Sequence, residues 1–98
     1  MKILHEAKLE LIEAAEYYES CQSGLGAKFL DVVNDAYRDI KGYPDAYTSV
    51  GKHLRKFAIR PYPYAIIYAF SDDEITIVSI MHQKRRPGYW RNRLTDES

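Results

Sequence analysis

The hydrophobic period changes once along this chain, and that change limits the fold more than any other feature. Up to about residue 42 apolar residues recur at helical spacing; beyond Pro44 they alternate or run together, as in strands. Ala7, Leu11, Ala14 and Tyr18 mark a first helix, with Leu9, Ile12 and Ala15 widening its stripe and Glu6, Glu10, Glu13 and Glu16 along another side. The stretch from Ser20 to Gly24 breaks it. Leu25, Phe29, Val32, Ala36 and Ile40 then mark a second helix, broadened by Val33 and Tyr37 and stopped by Gly42 and Pro44. So short a break predicts an antiparallel helical hairpin.

Three strands are expected after Pro44. Leu54, Phe57 and Ile59 are the apolar positions between His53 and Ile59. Tyr62 to Phe70 is a nearly continuous apolar run, which suits a central strand. Ser71-Asp72-Asp73 is a turn, and Ile75, Ile77 and Ile80 pattern a strand from Glu74 to Met81 with Thr76 and Ser79 opposite. Val78 is grouped with the apolar set. Met1 to Leu4 reads as a short strand, and Pro87 opens a last helical turn through Arg93. The expected order is β-α-α-β-β-β. It gives a two-layer α+β fold with the helical hairpin on one face of a small, mainly antiparallel sheet.

Ninety-eight residues allow one modest core. Nine Tyr and zero net charge argue against disorder. The lone Cys21 cannot form an internal disulfide. No apolar run is long enough to span a membrane, and the start of the chain has no signal-peptide core, so a cytoplasmic protein is expected. Three His and one Cys offer no metal-site spacing, and no Gly-rich phosphate loop or Cys/His nucleophile pair is visible; no cofactor is expected. The charge is unevenly spread. Residues 1–49 carry five Lys/Arg and nine Asp/Glu, whereas between His82 and Leu94 there are five basic residues and no acid. Such a patch attracts polyanions or an acidic partner.

Four blocks carry a family resemblance. They are Glu13-Ala14-Ala15-Glu16-Tyr17-Tyr18-Glu19; Gly24-Leu25-Gly26-Ala27-Lys28-Phe29; Arg60-Pro61-Tyr62-Pro63-Tyr64-Ala65-Ile66-Ile67-Tyr68; and His82-Gln83-Lys84-Arg85-Arg86-Pro87-Gly88-Tyr89-Trp90-Arg91-Asn92-Arg93. In order and spacing they resemble the signatures of the RelE/ParE toxin superfamily, with Tyr62 where that family usually has Phe. The resemblance implies one toxin domain over residues 1–98, the toxin component of a type II toxin–antitoxin module neutralised by a cognate protein antitoxin. The Tyr-Tyr, Gly-Leu-Gly and Pro-Gly-Tyr-Trp blocks look more like ParE-type members, which inhibit DNA gyrase, than like RelE-type cutters of ribosome-bound mRNA. The alternatives are such a ribosome-dependent mRNA endonuclease and a degenerate member without toxicity.

The mRNA-cutting members use basic residues and a tyrosine on the sheet and C-terminal segment. Carried over here, this makes His82, Arg85 and Tyr89 the catalytic candidates of a metal-independent RNase, His82 because its unperturbed pKa lies nearest neutrality. Arg55, Lys56, Arg60, Arg85, Arg86, Arg91 and Arg93 are the candidates for binding nucleic acid or another target. Each has a plainer role to set beside this. The His82 ring can hydrogen-bond backbone at a strand end and order the tail. Tyr89 and Trp90 can pack the tail onto the sheet. Arg91 and Arg93 can be surface charges on a short helix. Tyr17 and Tyr18 read as packing, and the Glu stripe as a solvated face.

Overall fold

A computed structural model describes residues 1–94; the last four positions of the expected 1–98 domain lie outside the described residues. The chain runs β1 (Lys2–Ile3), α1 (His5–Cys21), α2 (Leu25–Gly42), β2 (Thr48–Gly51), β3 (Leu54–Ile59), β4 (Tyr64–Ser71), β5 (Glu74–His82) and a 3-10 turn at Arg91–Arg93. The five strands form one open sheet in the order β1-β5-β4-β3-β2. β1 runs parallel to β5, and every other pairing is antiparallel.

The α+β class, the helical hairpin and the β3-β4-β5 meander match the sequence reading. β2 was not anticipated. Its Thr-Ser-Val-Gly sequence is short, half polar and without alternation, and it lies at the sheet edge, where burial imposes no pattern. β4 starts at Tyr64 rather than Tyr62, because the Tyr62 N–H closes a turn onto the Ile59 carbonyl.

The two glycines of the Gly-Leu-Gly block do different things. Gly24 holds φ 88°, where a side chain is strained. Gly26 lies where the helices cross: a Cβ there would meet the Ala15 carbonyl oxygen at 2.7 Å. Glu19, at the end of α1, accepts the N–H groups of Gly24 (3.0 Å) and Gly26 (3.1 Å) and so serves the open N-terminus of α2.

β5 carries a bulge. Ile67 pairs with Ser79 and Tyr68 with Ile77, so Val78 is the extra residue. The bulge resolves the parity problem in the sequence. Ile75 and Ile77 are odd-numbered and Ile80 is even, yet all three face the helices. Val78 turns to the other side.

Each face of the sheet has its own core. Ile59, Ile66, Tyr68, Ile77 and Ile80 meet Ala7, Ala14, Phe29, Val33, Ala36 and Ile40 of the two helices. On the opposite face Leu54, Ile67, Val78 and Met81 are covered by Leu4 and by the C-terminal segment through the buried Trp90. Part of the apolar stripe read for α1 is not buried. Leu9 and Ile12 are about half exposed, whereas Ala15 is buried beside the Ala7–Leu11–Ala14–Tyr18 line; Tyr17, read as packing, is 60% exposed.

Candidate functional site

The basic C-terminal segment leaves β5 at His82, and its path is set by local hydrogen bonds. The Gln83 N–H donates to the Pro63 carbonyl at 2.8 Å, the Arg85 N–H to His82 O, and the Arg91 N–H to Gly88 O. Gly88, at φ 93°, permits the reversal that returns the chain to the sheet. The Lys84 N–H donates to His82 Nδ1 at 3.0 Å. That nitrogen is therefore an acceptor, and a neutral ring carries its proton on Nε2. His82 thus makes the backbone bond of its plainer role, with its ring edge-on to Tyr64 at 5.0 Å.

Three residues of the segment converge on one carboxylate from α1. Arg93 Nη1 donates to Glu10 Oε1 at 2.7 Å, its Nη2 to Oε2 at 3.2 Å, and the Tyr89 hydroxyl to Oε2 at 2.7 Å. Arg85 lies 3.8 Å from Oε2, with its guanidinium stacked 3.8 Å above the Tyr89 ring. Ser79, fully buried, donates to Oε1 at 3.0 Å and is also 3.0 Å from the Tyr89 hydroxyl.

The cluster sits on the edge of β5 away from β4, beyond the end of β1. β1 pairs only as far as Ile77, and the backbone groups beyond it need other partners. Glu10 accepts the Ile80 N–H at 3.2 Å, and Arg93 donates to Val78 O at 2.9 Å. Two side chains thus finish the strand edge at the bulge.

Glu10 keeps only 14% side-chain exposure and Arg93 16%. Burial pushes the Glu10 carboxyl up, but the hydrogen bonds of Arg93, Tyr89 and Ser79 and the Arg93 charge outweigh it and hold the pKa below its ordinary value. Burial likewise opposes the charge on Arg93, and the bond to Glu10 overcomes it, so its pKa is raised. Burial, with the neighbouring Glu10 carboxylate, raises the Tyr89 phenol.

The candidate cations fall into separate groups. Arg85 and Arg86 are exposed on the turn after β5. Arg91, also exposed, reaches back to Val50 O of β2 at 3.4 Å and lies 5.0 Å from the Trp90 ring centre. Lys56 alternates onto the same face of the sheet as Leu54, the face that the segment covers. Arg55 lies toward the helices and donates to Tyr47 O at 2.7 Å. Arg60 lines a separate groove between α2 and β3, with Asp35, Asp39 and Phe57. Arg93 is committed to Glu10. His82, Arg85, Tyr89, Tyr64, Glu10 and Glu13 line one open groove between α1 and β5. Tyr17, Tyr18, Pro63 and Tyr64 continue it on the other side of His82.

Glu10 and Ser79 were absent from the candidates read in the sequence. Glu10 sits in a regular run of acids whose other members, Glu6, Glu13 and Glu16, are exposed, so its spacing gives no sign of burial. Among the described residues no group of His, Cys, Asp or Glu is arranged to hold a metal ion, and no helix is long and apolar enough to cross a membrane.

The family model described as "ParE toxin of type II toxin-antitoxin system, parDE" matches residues 1–87. Toxin ParE2 of Mycobacterium tuberculosis is 28% identical over 79 residues, spanning 80% of this chain and 75% of that one. A solved structure titled "Chromosomal ParDE TA system from P. aeruginosa" superposes with a TM-score of 0.61 at 18% identity, covering 83% of this chain and 91% of that one, a likeness of fold.

Proposed function

The chain belongs to the ParE toxin family of type II toxin–antitoxin systems, and on that premise we propose that it arrests growth by binding and inhibiting DNA gyrase. A module of this kind implies a cognate antitoxin as partner. The surface proposed to meet gyrase is the C-terminal segment and its flank: Arg85 and Arg86 at the turn, Arg91 beside it and Lys56 on the sheet. Arg55, Arg60 and Arg93 contribute less directly, since Arg55 and Arg93 are held by internal partners and Arg60 opens onto a different groove.

The observation that carries this reading is the state of Tyr89. An RNase of the RelE type would need that phenol free to stack or to donate a proton. Here the hydroxyl is bound by Glu10 and Ser79, and one ring face is covered by Arg85. What remains outward is positive charge and apolar surface, which suits binding rather than proton transfer. The grouping of His82, Arg85 and Tyr89 in one groove favours the runner-up, a metal-independent mRNA endonuclease.

The test uses purified toxin with gyrase and relaxed plasmid, and in parallel with translating ribosomes. Inhibited supercoiling with trapped double-strand breaks is the expected result. Unimpaired gyrase together with mRNA cut at codons would replace this reading by the endonuclease. The surface is tested by Arg85→Ala combined with Arg86→Ala, which should abolish growth arrest at unchanged expression.

A further inference from the structure

We infer that Glu10 is a positioning residue for the toxic surface: its carboxylate, on α1, holds the C-terminal segment so that Arg85 and its neighbours are presented to the target. The inference rests on the reading that this segment meets the target. It goes beyond it by assigning the segment's geometry to a residue on another element.

Tyr89, Arg93 and Arg85 converge on the Glu10 carboxylate, and both guanidiniums also lie over the Tyr89 ring, Arg85 at 3.8 Å and Arg93 at 5.1 Å from its centre. The carboxylate accepts from Tyr89 and from both terminal nitrogens of Arg93, and it draws Arg85 to 3.8 Å. Arg85 is then fixed from two sides, by the carboxylate and by the Tyr89 ring beneath it. It keeps 58% side-chain exposure, so it is oriented while still reachable. Apart from the Gln83 N–H bond to Pro63 O, the Arg91 and Arg93 bonds to Val50 O and Val78 O, and turn bonds within itself, the segment has little polar contact outside this cluster to order it. Its regular structure is one turn of 3-10 helix, and its apolar anchors are Trp90 with the partly buried Tyr89 and Leu94. Trp90 fixes where the segment lies. The Glu10 cluster fixes its twist about that anchor, because a planar guanidinium gripping both oxygens of a carboxylate tolerates little rotation.

The role is separable from bulk stability. In the full-length protein Glu10→Ala should speed amide exchange over residues 83–94 by about ten- to a hundredfold, the range expected on losing charge-assisted hydrogen bonds, while β3 and β4 stay protected. Growth arrest on induction should be lost. Glu10→Gln keeps one acceptor oxygen and the shape but not the charge, so it should restore part of the arrest. Val33→Ala, a buried helix-side change, is the control for lowered stability. It should lower the melting temperature yet leave arrest intact. Glu16→Ala, on the exposed side of α1, should change nothing.

The inference is overturned if Glu10→Ala arrests growth like wild type while the Arg85/Arg86 double variant does not. It is also overturned if exchange over 83–94 is unaltered, or if Val33→Ala loses arrest as fully as Glu10→Ala at equal melting temperature. If the Arg85/Arg86 double variant itself remains fully toxic, the reading of the surface has failed, and the positioning role falls with it. Should Glu10→Ala not accumulate, Glu10→Gln carries the same test, with reduced arrest expected and wild-type arrest and exchange overturning it.

Discussion

The two faces of the sheet are covered by different means. On one face two helices of 17 and 18 residues lay down a continuous apolar surface, with Phe29, Val33 and Ile40 fully buried beneath them. On the other a segment with a single 3-10 turn lays down Trp90 and holds itself with a half-buried carboxylate cluster. The helical cover has its backbone hydrogen bonds satisfied within its own helices and meets the sheet mainly through apolar contact. The tail cover borrows its partners from β5 and α1. It is the part of the molecule with both exposed cations and little intrinsic structure. A binding surface built this way is ordered by a few identifiable contacts and is correspondingly easy to disorder.

The largest break in this comparison should come from the helical side. Phe29→Ala removes a fully buried ring that touches Tyr18, Tyr62 and Tyr64, and should cost about 3–5 kcal/mol. Amide exchange should rise over both helices and the sheet together. Trp90→Ala should cost less, about 2–4 kcal/mol, since its ring is buried but its surroundings can collapse. Its signature should be local, with exchange rising over residues 83–94 while α2 and β4 remain slow. If Trp90→Ala accelerates exchange everywhere to the same degree, the two faces form one cooperative unit and the contrast fails.

Acid should loosen the tail before the helical side. The folded pKa of Glu10 is depressed, so its contribution is fully present above the ordinary carboxylate value of 4.5 and is lost as pH falls through the lower folded value. Exchange over 83–94, corrected for intrinsic rates, should be flat from neutrality down to the ordinary carboxylate value and rise progressively as pH falls below it. Arg85, Arg93, Tyr89 and Ser79 face the carboxylate, Glu6 lies near Arg93, and Glu13, His82 and Tyr64 line the same groove. The wild-type profile is therefore compared with that of Glu10→Gln, which should lack the acid step. An identical step in both would assign it to another group.

The smallest effect should come from Tyr37. Its hydroxyl is buried with no hydrogen-bond partner among the described residues, and burial pushes the phenol up to about 12. Tyr37→Phe removes a desolvated polar atom, so stability should change by less than about 1 kcal/mol, in the stabilising direction. A thermal melt decides this, and a clear loss would mean that the hydroxyl is satisfied by a water.

Most of the architecture was already legible along the chain. Helical spacing through Ile40, the break at Gly24 and the alternation after Pro44 gave the hairpin and the meander, because each depends on neighbours within a turn or a pleat. Gly24 and Gly26 stood out as a motif, although only the helix crossing explains why the second must be glycine. The basic segment and its two aromatics were visible as a run. How they are used was not. Glu10 and Arg93 are 83 positions apart, and no local period marks which acid of a regular stripe will meet a distant arginine. In the sequence Val78 groups with the apolar set, and only the pairing with β4 shows that a bulge turns it to the other face. β2 had no pattern to read, since an edge strand is stabilised by the strand beside it. The sequence by itself determined the family and all the elements but the edge strand β2, because these follow from local periodicity and short motifs. Tertiary structure alone decided which charges are spent inside the molecule and which are left to face a partner, because that depends on desolvation and on contacts made only when distant segments meet.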